Sequence, residues 1–263
     1  MSCYKYWEKI LGIAEAVGNL EESGNNLDEM LTILDSLEEI AHDKTINFDS
    51  AEHILKNEKM NRALKIIRRF NVKLGLKLET KNARDILNSD DPWATLESFY
   101  FYDRYMKLIQ NENHLANFSS KDQIVFIGGG PLPLSLILYS KLFSASGVSI
   151  EKVPTVADLS VQILKKLGLN SKISAVCGNE SAASHLKFDI LVVAALAEPK
   201  KRIFNYIRNI ASNKTRIIYR TYTGMRAILY APVTDKAIEG FEKVDFTLPT
   251  GKVNNTSVLI HKV

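Results

Sequence analysis

Near residue 120 the apolar residues of this chain change their period, and that change limits what the chain can fold into. Before it they recur at three- and four-residue intervals. In L-D-E-M-L-T-I-L-D-S-L-E-E-I-A, the residues Leu27, Met30, Leu31, Leu34, Leu37 and Ile40 share one helical face. Asp49 or Ser50 is placed to cap a helix through Ile54 and Leu55, and Ala63, Leu64, Ile66, Ile67, Phe70 and Leu74 predict a helix over 60–78. D-D-P-W-A-T-L starts another, with Pro92 in its first turn. Five or six such helices pack as a bundle. After the change, the short apolar runs I-V-F-I, V-S-I, I-S-A-V, D-I-L-V-V-A-A-L and R-I-I-Y-R alternate with amphipathic segments, which predicts a parallel sheet covered on both faces. Two final runs, 244–248 and 256–261, are joined through L-P-T-G-K-V-N-N with no helix between them and read as a closing hairpin. The expected organisation is a helical bundle over 1–118 followed by a doubly wound α/β domain over 119–263.

Composition excludes several classes of function. The net charge of +4 comes from 34 basic and 30 acidic residues that are interspersed, an ordinary solvated surface that argues against nucleic acid as a partner. Cys3 and Cys177 have no paired spacing, so neither a disulfide framework nor a thiolate metal site is expected. Histidines 42, 53, 114, 185 and 261 lack ligand spacing, and no metal is expected in catalysis. The N-terminal M-S-C-Y-K-Y-W-E-K-I lacks the apolar stretch of a signal peptide, and no segment approaches the roughly 20 apolar residues of a membrane span. A soluble, cytoplasmic protein is expected.

The chemistry concentrates around I-V-F-I-G-G-G-P-L-P-L. Gly128, Gly129 and Gly130 follow a strand and precede a helix, where the backbone can pass close to a nucleoside, and Pro131 shapes the helix entry. No Walker lysine follows, which argues against ATP. Glu151 ends the next strand about 20 residues on, the position of a ribose-binding carboxylate, although a solvated strand end would read the same way. Asn179 and Glu180 follow the third strand, where an adenine amino group can be met. Ala194 and Ala195 open A-A-L-A-E-P-K after the fourth and complete the cofactor-facing set. That segment lacks the N-P-P-Y pattern used to methylate the amino groups of bases. A sheet of this kind ending in a hairpin is the architecture of S-adenosylmethionine-dependent transferases. In S-F-Y-F-Y-D-R-Y, Phe99 and Phe101 read as core, while Tyr102 and Tyr105 carry hydroxyls that need partners if buried. Glu79 is read as following an apolar helix, and spacing alone does not separate it from an exposed carboxylate.

The segments F-I-G-G-G-P-L-P-L, V-A-A-L-A-E-P-K, R-I-I-Y-R-T-Y-T-G-M-R-A-I-L-Y-A-P-V and G-K-V-N-N-T-S-V-L, with S-F-Y-F-Y-x-R-Y and I-A-H-D-x-T-I-x-F, resemble nicotianamine synthase over nearly the full length, most closely its archaeal branch. The resemblance implies a helical domain preceding a Rossmann-like domain that moves the 3-amino-3-carboxypropyl group of S-adenosylmethionine onto an amine. In that branch successive transfers build a nicotianamine-like chain on glutamate. Carried over by motif, Glu79 of K-L-E is the base at the acceptor amine, and Tyr105, the last residue of Y-x-R-Y, lies beside it. Two positions depart from the archaeal pattern: Val153 stands where an acid precedes the proline, and Asn179 turns G-D-E into G-N-E. Both belong to the nucleoside pocket and bear on cofactor affinity.

A sulfonium activates three carbons, and the protein selects one by aiming it at the nucleophile. Aiming the methionyl γ-carbon releases methylthioadenosine. Glu79, desolvated, would take the proton of the acceptor amine, and Tyr102 is placed with the substrate-binding residues. Arg220 and Arg226, after the fifth strand, can fork an acceptor carboxylate or form structural ion pairs. The expected partners are S-adenosylmethionine and an amino-acid acceptor, glutamate, with neither nucleic acid nor membrane and a homodimer left open. The rival readings are a small-molecule methyltransferase and a catalytically idle S-adenosylmethionine-binding protein.

Overall fold

The structure is a computed structural model that describes residues 3–24 and 26–263, without the side chains of Cys3 and Ser23, so the thiol of Cys3 lies outside the described residues. Six α-helices precede the sheet: α1 (Cys3–Ser23), α2 (Leu27–Ala41), α3 (Phe48–Leu55), α4 (Asn61–Asn88), α5 (Pro92–Glu97) and α6 (Tyr102–Ala116). In α2 the predicted stripe turns inward at Met30, Leu34, Leu37 and Ile40. Two expectations are corrected. The cap of α3 is Asn47, whose side chain accepts from the Ser50 N–H, and neither Asp49 nor Ser50 serves. Helix α4 runs ten residues past the predicted end, so Glu79 lies inside it. The polar run E-T-K-N-A-R-D ends the apolar period without a glycine or proline to stop the helix, and the true stop is Ser89–Asp91 before Pro92.

The second half of the chain supplies β1 (Gln123–Ile127), α7 (Leu134–Phe143), β2 (Ser146–Glu151), α8 (Pro154–Lys166), β3 (Ile173–Cys177), β4 (Ile190–Val193), α9 (Lys200–Ile210), β5 (Arg216–Thr221), β6 (Phe241–Thr247) and β7 (Thr256–Lys262). They form one seven-stranded sheet in the order β3-β2-β1-β4-β5-β7-β6. The first five strands are parallel, and β7 enters antiparallel to β5 and β6, as the missing helix between the last two runs required. Val125, Ile127, Leu191, Val193, Ile217 and Ile260 of the sheet pack with Ile203, Phe204 and Ile207 of α9. The chain turns back between β1 and β4, so the end of β1 opens on the crevice where ligands bind in such sheets. No helix among the described residues is long and apolar enough to cross a membrane.

Two compact units divide the chain at other places than residue 118. The first holds the chain up to Gly75 with residues 222–232 and 250–255. Within it Asp43 accepts from the Tyr6 hydroxyl (2.6 Å) and from the N–H and hydroxyl of Thr45 (2.8 and 2.6 Å). Arg68 donates twice to the Ala227 carbonyl, and His42 meets Asn254 at 2.6 Å. Much of I-A-H-D-x-T-I-x-F is thus spent on holding this unit together. The second unit holds residues 76–221, 233–249 and 256–263, which brings α5, α6 and the last turns of α4 in with the sheet.

Within the second unit a charge pair anchors α6. Glu112 is fully buried and receives Nε of Arg220 at 2.8 Å and Nη2 at 2.9 Å. Ser257 and Tyr139 also donate to its carboxylate, and Arg220 Nη1 donates to Ser135 (2.8 Å). Burial lowers the proton affinity of Arg220, but the charge and hydrogen bonds of Glu112 together with Tyr139 and Tyr105 more than reverse this, so the guanidinium stays charged. Breaking such a pair from one side strands a charge in the interior. Arg220→Met should therefore cost about 3–5 kcal/mol in urea denaturation. Adding Glu112→Leu should recover much of the loss, because no unpaired charge then remains.

Candidate active site

The glycine turn after β1 has no room for side chains. A Cβ at Gly129 would sit 1.8 Å from Ser149 Oγ, far inside van der Waals contact, so glycine fits where a side chain would clash. Gly130 has φ +67°, and its Cβ would come within 2.9 Å of Glu79 Oε2. The carboxylate of Glu79 therefore lies directly against the turn that a nucleoside would pass. Gly128 is bonded through its N–H to the Ile150 carbonyl, and a Cβ there would lie 3.2 Å from that of Ala194, so Ala194 lies beside the turn. Pro131 is buried at the helix entry.

Glu151 faces the same glycine from the end of β2. Its Oε2 accepts the Gly130 N–H (3.1 Å) and its Oε1 the Val153 N–H (3.0 Å). Val153 takes part through its backbone, which every residue except proline supplies, so its departure from an acid leaves this bond intact. Two carboxylates thus flank one glycine with unequal support. Glu151 has two N–H donors, while Glu79 is hydrogen-bonded to the Tyr105 hydroxyl. Glu79 keeps partial exposure as a residue, but its carboxyl end is enclosed. Burial first, and the Glu151 charge second, push its pKa up to about 8, against a lowering by the Tyr105 hydrogen bond.

Other expected site residues are engaged elsewhere. Asn179 is exposed and caps the short turn Glu180–His185, its side-chain oxygen accepting the Ser181 N–H at 2.9 Å. Glu180 is buried against Arg202, with Nε 2.6 Å from Oε1. Tyr102 is buried, and its hydroxyl accepts from Lys141 at 3.1 Å. Arg220 lies within β5 and not after it, and its guanidinium is committed to the buried Glu112 network. That is the structural alternative to a substrate fork. Arg226 belongs to the first compact unit and holds the carbonyls of Val253 (3.0 Å) and Gly251 (3.2 Å).

Two residues escaped the sequence reading. Ser160 of α8 donates to the Gly130 carbonyl (2.7 Å) and fixes the turn from below. Lys200 is buried at the first position of α9 and donates to the Ala195 carbonyl (2.7 Å) and to that of Ala197. Burial pulls its pKa down to about 8, with Glu198 opposing. A lysine at a helix N-terminus opposes the helix dipole, and that misplacement was its one signal.

The chain as a whole is similar to known proteins. A family model described as nicotianamine synthase protein matches residues 3–263. The chain belongs to the nicotianamine synthase family. Nicotianamine synthase of Solanum lycopersicum is 24% identical over 198 residues, 71% of this chain and 62% of that protein, so the chain spans about three fifths of this plant relative. The crystal structure of MtNAS in complex with MTA and tNA is 49% identical with a TM-score of 0.97, covering 100% of both chains. A glutamate-to-glutamine variant of MtNAS with S-adenosylmethionine aligns at a TM-score of 0.94 over 99% of each chain, also at 49% identity.

In this family member the raised pKa of Glu79 is also a statement about stability. The folded chain holds a proton on Glu79 that the unfolded chain releases near 4.5, so stability falls as pH rises from about 4.5 to about 8. Glu79→Gln removes that term. Its thermal midpoint should exceed that of the unaltered protein at pH 8 and converge with it near pH 4.5, as read by calorimetry.

Proposed function

We propose that this protein transfers the 3-amino-3-carboxypropyl group of S-adenosylmethionine onto the α-amine of an amino acid, glutamate being the first acceptor, and releases methylthioadenosine. The observation that carries the reading is the Glu79 carboxylate set against Gly130, with Glu151 on the other side of the same glycine. Family membership and the MtNAS complexes with MTA, tNA and S-adenosylmethionine support it.

The chemistry follows from charge. An acceptor α-ammonium has no lone pair and cannot attack, and Glu79 takes one of its protons. A base whose pKa lies near 8 is well matched to an amine, because it is strong enough to accept the proton and is ionised over a useful part of the neutral range. Bound cations, the ammonium and the sulfonium, favour that ionised form. The freed amine attacks the methionyl γ-carbon in line with the breaking C–S bond. A C–N bond forms, the C–S electron pair returns to sulfur, and the sulfonium becomes the neutral thioether of methylthioadenosine. Glu151 receives the ribose hydroxyls on the lone pairs that the Gly130 and Val153 N–H groups leave open. Tyr105 steadies Glu79 and yields its hydrogen bond as the proton moves. Asn179 accepts the Ser181 N–H on its side-chain oxygen, whose second lone pair is left for the adenine amino group.

Incubation with S-adenosylmethionine and glutamate should give methylthioadenosine and an aminocarboxypropyl-glutamate by mass spectrometry. S-adenosylhomocysteine in its place would make the protein a methyltransferase.

The pH profile of kcat/KM should rise along a limb near pH 8, the ionisation of Glu79. Glu79→Gln should lose that limb together with at least about a hundredfold in rate. Glu151→Gln removes the neighbouring negative charge, so the limb should move to lower pH while remaining above the ordinary carboxylate range, because burial is the larger cause. A limb unmoved by Glu151→Gln would separate the two carboxylates electrostatically.

A further inference from the structure

The segment that follows β4 is held by a buried cation. Lys200, 6% exposed at the first position of α9, donates through Nζ to the Ala195 carbonyl at 2.7 Å and to the Ala197 carbonyl. Glu198 Oε1 stands 3.5 Å from the same nitrogen, and Glu198 Oε2 accepts the Lys200 N–H at 2.8 Å. A cation in that place opposes the dipole of α9 and has given up its water, which costs free energy in every folded molecule. An apolar side chain would fill the same space without that cost, but it could not draw two carbonyls together.

The segment so tied lies on the glycine turn. The Ala194 N–H bonds the Ile127 carbonyl at the end of β1 (3.0 Å), and the Ala197 N–H closes on the Ala194 carbonyl (3.2 Å). The methyls of Ala197 and Ala194 occupy the space of a Gly128 side chain, 2.9 and 3.2 Å from where its Cβ would be. Strands β1 and β4 are parallel neighbours, and the turns that leave their ends bound the crevice in which a sheet of this order receives its ligand. Ala194, Ala195 and Ala197 are half-buried and keep part of their surface open. We propose that Lys200 is a positioning residue for S-adenosylmethionine, tying Ala195 and Ala197 to α9 so that residues 194–197 stand as a fixed wall against Gly128. This rests on the transferase reading above and concerns its cofactor alone.

A wall built of alanines needs such a strap. Alanine and glycine present little apolar surface to each other, so dispersion alone does little to hold one turn against the other. Hydrogen bonds from an ammonium are about twice as strong as neutral ones, and two that converge on one nitrogen fix the spacing of the Ala195 and Ala197 carbonyls. Without the ammonium those carbonyls lose their donor, and the segment gains by turning them to water. Gly128 then loses its backing, and through it so does Gly130, whose N–H holds Glu151 at 3.1 Å. The acceptor amine is met by Glu79 on α4, an element with no part in the strap.

The test uses Lys200→Met, whose unbranched apolar chain fills the buried track without a donor. Binding of S-adenosylmethionine and of methylthioadenosine is measured by calorimetry at pH 7, where Lys200 is mostly protonated, and the KM for glutamate is measured at saturating S-adenosylmethionine. The expected result is that both dissociation constants rise at least tenfold while the KM for glutamate stays within threefold of the unaltered protein. A purely structural role would lower the thermal midpoint and the number of binding-competent molecules, with the dissociation constants of those molecules unchanged, and that result overturns the proposal. The unaltered protein gives an independent measurement that needs no folded variant. Hydrogen exchange of the backbone amides of residues 194–200, followed by mass spectrometry, should slow at least fivefold on saturation with methylthioadenosine. Exchange that the ligand leaves unchanged overturns the proposal. If the unaltered protein binds S-adenosylmethionine and these differences are missing, Lys200 alone is misassigned; if it binds none, the transferase reading fails first.

Discussion

The buried pairing of Glu112 with Arg220 joins residues 108 positions apart and ties α6 to the sheet. Two charges with no access to water tolerate little change in geometry, because each is costly without the other. Arg220 reaches Glu112 from β5, Ser257 reaches it from β7, and Tyr139 and Ser135 of α7 close the network. Helix α6 is thus held from two strands and a second helix. Tyr105 is carried on its first two turns, close enough for the Arg220 charge to feel its hydroxyl. The position of the residue that supports Glu79 is thus set by a network built from residues far from it in the chain.

The two carboxylates at the glycine turn acquire different properties from their donors. Glu151 ends a strand where two backbone N–H groups converge, so its negative charge is supported by the fold itself. Glu79 projects from the middle of a helix whose own N–H groups are committed, and it must rely on one phenol. Identical side chains on either side of one glycine therefore differ in support, one held by two backbone N–H groups and the other by a single hydroxyl. Gly130 makes the proximity achievable, since any side chain there would displace Glu79.

Much of this was legible in the order of residues. The glycine run, the strand-end position of Glu151, the parallel strands and the closing hairpin all emerged where the apolar pattern placed them, because each depends on neighbours within a few positions. The roles of Glu79 and Tyr105 came from family motifs and not from spacing. The end of α4 was missed because apolar periodicity reports burial, and the last turns of that helix bury the polar Asn82 and half-bury Glu79. The compact units divide elsewhere than at 118 for a related reason: a helical pattern says which face is apolar and not what it packs on.

By itself, the sequence determined the class of the fold, the strand that leads into the glycine turn and the carboxylate that closes the next strand, since backbone conformation and burial follow from local chemistry. Only the tertiary structure decided that Arg220 serves the core, that Glu180 is held by Arg202, that Arg226 supports the backbone of another unit, and that Glu79 lies against Gly130. A charged side chain is the same residue whether it binds a ligand or a partner within the fold. Which of the two it does depends on what stands within about 3 Å of it, and those neighbours come from parts of the chain that only folding brings together.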